Sequence, residues 1–232
     1  MRVIITGASQ GIGYAIANLF AKEGHDLILT SKTASLLEAS AIKLQQMYPA
    51  VDIEFKAFDL SNKTDCQTFA TWALSVGSVD VLVNNAGYFL PGNITDESEG
   101  NIEAQLNANL LSAYYVTRGI IPSMIANQSG HIFNMGSIAG HNAYANGGSY
   151  SISKFALHGF SQNLRLELKD KGIKVTLVAP GAVYTNSWAG SGVDPKRIME
   201  ADDIAKMIYA ATQLSPQAVV EDIILCPLLG DL

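Results

Sequence analysis

The segment Tyr150-Ser151-Ile152-Ser153-Lys154 sets a phenol and an ammonium four residues apart. On a helix that spacing puts both side chains on one face. Of the nine tyrosines, Tyr150 alone has a lysine four positions later. A free phenol titrates near ~10, too high for efficient acid–base work at neutral pH. A positive charge at about 4 Å, with an effective dielectric of about 20, is worth ~4 kcal/mol. That equals about 3 pKa units and would bring the phenol toward neutrality. A phenol so tuned donates a proton to a carbonyl oxygen or removes one from an alcohol. Chance alone supplies roughly 0.4 such pairs in a chain with these counts, so the pair draws its meaning from its neighbours. Ser137 follows an apolar run and offers a hydroxyl to a reacting oxygen. Asn109 is a poor helix former inside a long helical stretch, where a polar side chain can hold a water.

A second cluster suits a phosphate-bearing ligand. Thr6-Gly7-Ala8-Ser9-Gln10-Gly11-Ile12-Gly13 joins the first apolar run to an amphipathic stretch. Glycines permit a tight turn and close approach of backbone to phosphate. The helix that follows aims free N–H groups and the positive end of its dipole at an anion. The spacing is G-x-x-x-G-x-G, in place of G-x-G-x-x-G. After the second strand, an Asp or Glu would bind ribose hydroxyls and select NAD. Ser31 and Lys32 stand there instead, and a cation suits the 2′-phosphate of NADP.

These residues need a scaffold, and the hydrophobic pattern provides one. Strands are expected at 3–5, 27–30, 53–58, 79–83, 131–135, 174–178 and 219–225. Helices are expected over about 12–24, 34–48, 62–76, 99–127, 150–170 and 202–213. Strands alternating with helices argue for βαβ units, and continuously apolar strands for a parallel sheet covered on both faces. Right-handed crossovers then give a doubly wound α/β sheet. Ligands bind such sheets outside the carboxyl ends of the strands. Residues 184–200, without clear periodicity and rich in Gly and Pro, are a candidate substrate loop there.

Composition narrows the partners. The chain has 232 residues, 48% hydrophobic and 16% charged, with a formal net charge of -6. That balance disfavours nucleic acid and anionic membranes, which need clustered cations. No apolar run approaches the roughly 18 residues that span a bilayer. The opening Met1-Arg2-Val3-Ile4-Ile5 leads straight into the glycine loop without a secretory leader, so a cytoplasmic setting is expected and the sequons at Asn62, Asn93 and Asn127 carry no weight. Cys66 and Cys226 form no disulfide framework. The four histidines, His25, His131, His141 and His158, lack zinc spacing, and no metal is expected. Met135-Gly136-Ser137 does not satisfy the G-x-S-x-G of serine hydrolases.

Taken together, these residues resemble the short-chain dehydrogenase/reductase family. The match comprises Thr6-Gly7-x-x-x-Gly11-x-Gly13, Asn84-Asn85-Ala86-Gly87, Asn109, Ser137, Tyr150-x-x-x-Lys154 and Pro180-Gly181, in family order over residues 1 to about 185. The resemblance implies a single Rossmann-type domain over 1–232, with seven strands in order 3-2-1-4-5-6-7. It implies Tyr150 as general acid or base, with Lys154 lowering its pKa and binding the nicotinamide ribose. Ser137 would polarise the substrate oxygen and Asn109 hold a proton-relay water. For NADP(H), in preference to NAD(H), it implies Gly7, Ser9, Gln10, Gly11, Ile12 and Gly13 around the pyrophosphate, and Ser31 and Lys32 at the adenosine ribose. Asp59 and Leu60 would meet the adenine, Asn85, Ala86 and Gly87 the cofactor near the fourth strand, and Pro180, Gly181, Val183 and Thr185 the carboxamide. The implied reaction is hydride transfer between nicotinamide and a carbonyl or secondary alcohol, with the protein orienting the cofactor and managing the proton.

Two departures from the family pattern matter. Gln10 stands where many members have Arg or Lys. The end of the chain, Glu221 to Leu232, lacks the Asp-Gly-Gly segment of 3-oxoacyl reductases and is more similar to the 3-hydroxy acid dehydrogenase branch. The expected substrate is therefore a small carbonyl compound or alcohol such as a 3-hydroxy acid. The alternative is a 3-oxoacyl-[acyl-carrier-protein] reductase. Met124–His131 carries no Lys or Arg for docking an acidic carrier protein. A non-catalytic NADP-sensing regulator on the same fold is a third reading, but it would not need Asn109, Ser137, Tyr150 and Lys154. Tyr88, Phe89, Leu90, His141, Asn142, Tyr144, Tyr184 and Trp188 are expected around the substrate. The family resemblance also implies a homo-oligomer, a tetramer or dimer, built on the helices over 99–127 and 150–170.

Overall fold

Val3, Ile4 and Ile5 are β-branched and fully buried, and they form the centre of the first strand, β1 (Arg2–Thr6). The computed structural model describes residues 1–188 and 190–232. After the glycine loop come α1 (Gly11–Lys22), β2 (Asp26–Thr30), α2 (Ala34–Met47), β3 (Ile53–Phe55), α3 (Lys63–Val76) and β4 (Val81–Asn84). Then follow α4 (Asn101–Leu106), a π-helical turn (Asn107–Leu111) and α5 (Ser112–Asn127). The remainder comprises β5 (Gly130–Met135), α6 (Gly148–Leu168), β6 (Ile173–Pro180), β7 (Val183–Tyr184), β8 (Met199–Glu200), α7 (Ala201–Thr212) and β9 (Asp222–Leu225).

Seven strands pair in parallel in the order β3-β2-β1-β4-β5-β6-β9. This is the order that the family resemblance implied, with the last strand numbered ninth because two short strands intervene. Side chains alternate between the two covered faces. Val3, Ile5, Leu27, Leu29, Val81 and Val83 pack with Phe20 of α1, Leu44 of α2 and Ile208 of α7. Ile4, Ile28, Leu82, Ile132 and Val175 pack with Phe69 of α3, Ile120 of α5 and Leu164 of α6. The strand order reverses between β1 and β4, which opens a crevice at their carboxyl ends.

Several boundaries differ from the sequence pattern. The third run ends as a strand at Phe55, short of the expected residue 58, although Lys56 and Phe58 still donate to the carbonyls of Leu29 and Ser31. The fourth and last strands start later, at Val81 and Asp222. The helix expected over 99–127 is interrupted by its π turn. Among the described residues of 184–200, where the sequence shows no clear periodicity, there is regular structure. β7 and β8 pair across its base, and the Met199 N–H donates to the Ala182 carbonyl at 3.1 Å. Glu200 and Asp203 then cap α7 reciprocally. Among the described residues, no helix is long and apolar enough to cross a membrane, and no group of three or more His, Cys, Asp or Glu side chains could hold a metal ion.

His131 on β5 is buried, stacked on Phe133 at 4.0 Å, with its Nε2 2.7 Å from Thr176 Oγ1. Thr176 spends its own proton on the Val220 carbonyl, so His131 Nε2 must be the donor. Burial, with a smaller push from Lys174, lowers this histidine to about 3. An imidazole neutral in the folded state and titrating near 6.5 when unfolded supports stability fully above pH 6.5, and loses that support as pH falls toward 3. Urea unfolding at pH 7.5 and 4.5 is therefore expected to show His131→Gln losing about 3 kcal/mol less than the native chain over that interval. Equal losses in both proteins would contradict this account.

Candidate active site

The carboxyl end of β5 and the first turns of α6 bring the chemistry together. Ser137 follows β5 and is buried, its Oγ accepting from the Ala139 N–H at 3.1 Å. Tyr150 and Lys154 lie on one face of α6, with Lys154 Nζ 5.6 Å from the centre of the Tyr150 ring. Lys154 Nζ donates to the Met135 carbonyl at 2.8 Å, tying the helix to the end of β5. Burial pulls the ammonium down to about 8.

The phenol corrects one expectation. Burial pushes Tyr150 above its ordinary value, opposed by a hydrogen bond with the Ser137 hydroxyl. The expected shift toward neutrality required a lysine charge about 4 Å away in a fairly polar surrounding. The ammonium stands over the ring and is itself poorly solvated, while desolvation of the phenol is the larger influence. In this structure Tyr150 is a protonated acid at neutral pH.

Asn109 also differs from its expected setting. It lies in the π turn, where one extra residue per turn widens the helix. Its Oδ1 accepts from the Tyr88 N–H at 2.8 Å, and its Nδ2 donates to the Tyr88 carbonyl and Ser153 Oγ, both at 3.0 Å. Ser153 in turn donates to the Tyr150 carbonyl at 2.7 Å. Three of the side chain's four hydrogen-bonding positions are thus used on the protein, fastening the segment after β4 to α6. Gln105, which the sequence did not single out, grips the next residues through the Leu90 N–H and carbonyl.

The glycine loop is shaped by close approach. A Cβ on Gly13 would lie 2.2 Å from the Gly7 carbonyl oxygen, so no side chain fits. The Thr6 hydroxyl accepts from the N–H groups of Asn85 and Ala86 at 2.9 Å. Asn85 Nδ2 returns a bond to the Thr6 carbonyl, also at 2.9 Å. These contacts lock the ends of β1 and β4 together under the crevice. Gln10 gives α1 no side-chain cap, and the first turn holds no acidic residue, which leaves its N–H groups suited to an anion. Ile12 is half-buried beside the core, and the Ser9 carbonyl accepts from Ser40.

At the far edge of the crevice, Ser31 Oγ is buried without a hydrogen-bond partner, while Lys32 Nζ meets Asp59 Oδ2 at 2.8 Å. Burial alone would raise the Asp59 carboxyl, but hydrogen bonds from Lys32 and Ser61 hold it below its usual value. Leu60 turns its side chain into the core between sheet and α3. On the other side, Pro180 closes β6, and the N–H of Gly181 donates to the Leu225 carbonyl. Val183 is buried in β7, and the Thr185 methyl lies against Gly11. Asn186 Nδ2 donates to Gln10 Oε1 at 2.9 Å, so the 184–200 segment touches the glycine loop directly.

Aromatic rings border the phenol. Phe89 stands edge-on to Tyr150, with centroids 5.0 Å apart and planes at 73°, and Tyr144 lies 6.4 Å from Phe89. Tyr88, Phe89 and Tyr144 are each nearly half exposed, as large apolar groups at a binding surface are. His141 packs at 4.3 Å against His158, which burial lowers to about 4.

Comparison with known proteins places this arrangement. The family model for short chain dehydrogenase matches residues 1–195. An uncharacterized oxidoreductase of Staphylococcus saprophyticus is 35% identical over 219 residues, covering 91% of each chain. Sepiapterin reductase of Chlorobaculum tepidum is 33% identical over 239 residues, covering 99% of this chain and 97% of that protein. Among solved structures, the alcohol dehydrogenase of the archaeon Thermococcus sibiricus, complexed with 5-hydroxy-NADP, superposes with a TM-score of 0.90. It is 27% identical and covers 98% of this chain and 96% of that one. With its sheet order, glycine loop and Tyr150–Lys154 pair on one crevice, this chain belongs to the short-chain dehydrogenase family.

Proposed function

We propose that the protein is an NADP(H)-dependent oxidoreductase that reduces the carbonyl of a small molecule to a secondary alcohol. The observation that carries this reading is the meeting of Ser137, Tyr150 and Lys154 at the same sheet edge as the glycine loop. NADP(H) suits the residues present. The uncapped start of α1 fits a pyrophosphate, the orphaned Ser31 hydroxyl fits a ribose substituent, and Lys32 replaces the carboxylate that would repel a 2′-phosphate. The archaeal relative's structure, with its NADP derivative, supports the same choice.

When bound, the nicotinamide supplies the hydride. The chain's own residues manage the oxygen. Ser137, beside the phenol, donates a hydrogen bond to the substrate carbonyl. Tyr150 transfers its phenolic proton to that oxygen as the carbon gains two electrons, and solvent later restores the proton. At neutral pH the phenol carries the proton that reduction consumes, and the hydrogen bond from Ser137 opposes the upward push of burial. Lys154 faces the phenolate that remains and would hold ribose hydroxyls with its other protons. The half-exposed aromatic border of Tyr88, Phe89 and Tyr144 beside the phenol supports a small free carbonyl compound with apolar surface to cover, the keto form of a 3-hydroxy acid or similar alcohol. The 184–200 segment acts as its lid. Exposed Ile152, Phe155 and Leu166 on α6 support assembly as a dimer or tetramer.

Three outcomes follow from this reading. Tyr150→Phe is expected to lose about 10³-fold in carbonyl reduction while keeping NADPH affinity, measured by turnover and by titration of cofactor fluorescence. Loss of cofactor binding instead would return Tyr150 to a structural role. Lys32→Ala is expected to weaken NADPH about tenfold and leave NADH within twofold. Tighter binding of NADH than NADPH by the native chain would overturn the cofactor assignment. Lys154 keeps its charge below about pH 8 and sheds it above. Reduction at saturating NADPH should thus stay level from pH 6.5 to 7.5 and fall through about pH 8. A rate that climbs across that range would exclude a role for the charged ammonium.

A further inference from the structure

We infer that Glu97 is a positioning residue for Tyr150: its carboxylate caps the first turn of the catalytic helix from a different segment of the chain. This inference rests on the reductase reading above. α6 starts badly on its own terms. Its N-cap is Gly147, which has no side chain with which to satisfy the unpaired N–H groups of the first turn. Tyr150 is the third residue of that turn, where helices fray most readily.

Glu97 supplies what Gly147 lacks. Its Oε2 accepts from the Ser149 N–H at 3.4 Å, and its Oε1 accepts a short hydrogen bond from the Ser149 hydroxyl. Ser149, next to Tyr150, is buried. A negative charge at a helix N-terminus is also favoured by the peptide dipoles. The main chain that carries Glu97 is held as well, because the Glu97 N–H donates to the Asn93 carbonyl at 2.8 Å. Two further bonds bind the same segments. The Gly92 N–H donates to the Asn146 carbonyl at 3.1 Å, and the Asn146 N–H donates to Asn93 Oδ1 at 3.0 Å. A Cβ on Gly148 would sit 2.4 Å from the Gly92 carbonyl oxygen, so the two backbones are in direct contact.

The consequence for catalysis is geometric. Behind the phenol, Asn109 holds Ser153 and Ser153 holds the Tyr150 carbonyl. In front, Glu97 holds Ser149. The segment that carries Glu97 also carries Phe89, whose ring stands edge-on to Tyr150. The first turn of α6 is therefore gripped on both sides of the residue that must deliver a proton. Catalysis is sensitive to displacements of about 1 Å in such a group.

The test uses the full-length protein with NADPH and a carbonyl that the native chain reduces. Glu97→Ala is expected to lower kcat about tenfold with NADPH affinity unchanged, and to raise the solvent deuterium isotope effect on kcat, because delivery of the proton becomes slower. Glu97→Gln, whose Oε1 still accepts from the Ser149 hydroxyl, is expected to recover most of the loss. Ser149→Ala added to Glu97→Ala is expected to change little more, since both remove one interaction. An unchanged kcat and isotope effect, or a loss of rate matched by loss of NADPH binding, would overturn the inference. Should Glu97→Ala fail to fold, Ser149→Ala alone decides it by the same readouts, a lowered kcat with a raised isotope effect supporting the inference and unchanged values overturning it. Hydrogen exchange in the protein without NADPH separates this inference from the reductase reading. Amides of the first turn of α6 are expected to exchange at least about tenfold faster in Glu97→Ala, with the rest of the helix unchanged. Unchanged exchange would overturn the cap even in a protein that reduced no carbonyl, whereas an idle native protein with faster exchange would count against the reaction alone.

Discussion

The interior of this protein holds a positive charge, and much of the active edge is organised around keeping it there. Lys154 lies against the face of the Tyr150 ring, buried, with the Met135 carbonyl as its hydrogen-bond partner. Lowering an ammonium to about 8 corresponds to roughly 3 kcal/mol of disfavoured charge at neutral pH. A flexible protein would relieve that penalty by letting the side chain swing to water. Here the helix that carries it and the strand that receives it are fastened independently. β5 lies between β4 and β6, and beyond Met135 the Gly136 N–H still reaches the Val178 carbonyl at 2.6 Å.

A line of polar side chains stiffens the same region from inside. Asn84 Nδ2 donates to Thr117 on α5 and to Asn134 on β5, each at 2.8 Å. Asn134 Nδ2 donates to Ser161 on α6 at 2.9 Å. Two strands and two helices are thereby cross-linked by directional bonds in a low-dielectric interior, where such bonds are strong and misplacement is costly. Apolar packing sets which faces meet, whereas these amides set the register at which they meet. The phenol, its serine and the lysine inherit that register.

The sequence was legible wherever one local rule governed a residue. Alternating β-branched runs located the strands to within a few residues, since a sheet covered on both faces leaves polar residues little place in them. The glycine loop was readable because Gly13 has no room for a side chain, a constraint visible as residue type. The Tyr150–Lys154 spacing was readable because helical geometry alone puts the two on one face. What was not legible depended on distant segments. The rise in the Tyr150 pKa comes from burial by elements far along the chain. The three bonds of Asn109 are made from a π turn, which periodicity smooths over. Gln105, Glu97 and Ser153 are ordinary residues in ordinary contexts until the fold sets them against a partner 15, 52 or 44 positions away.

The short ladder of β7 and β8 decides how freely the stretch it encloses can vary in length. By pairing Val183 with Met199 and Tyr184 with Glu200, it fixes the two stems of the intervening segment at a set separation. The entropy of closing a loop grows only slowly with its length, about 0.6 kcal/mol per doubling. Once its stems are clamped, the stretch between them can lengthen at little entropic cost to the seven-stranded sheet, provided Asn186 keeps its bond to Gln10. The ladder thereby uncouples the length of that stretch from the geometry of the sheet, because residues added between the stems need not move β6 or α7.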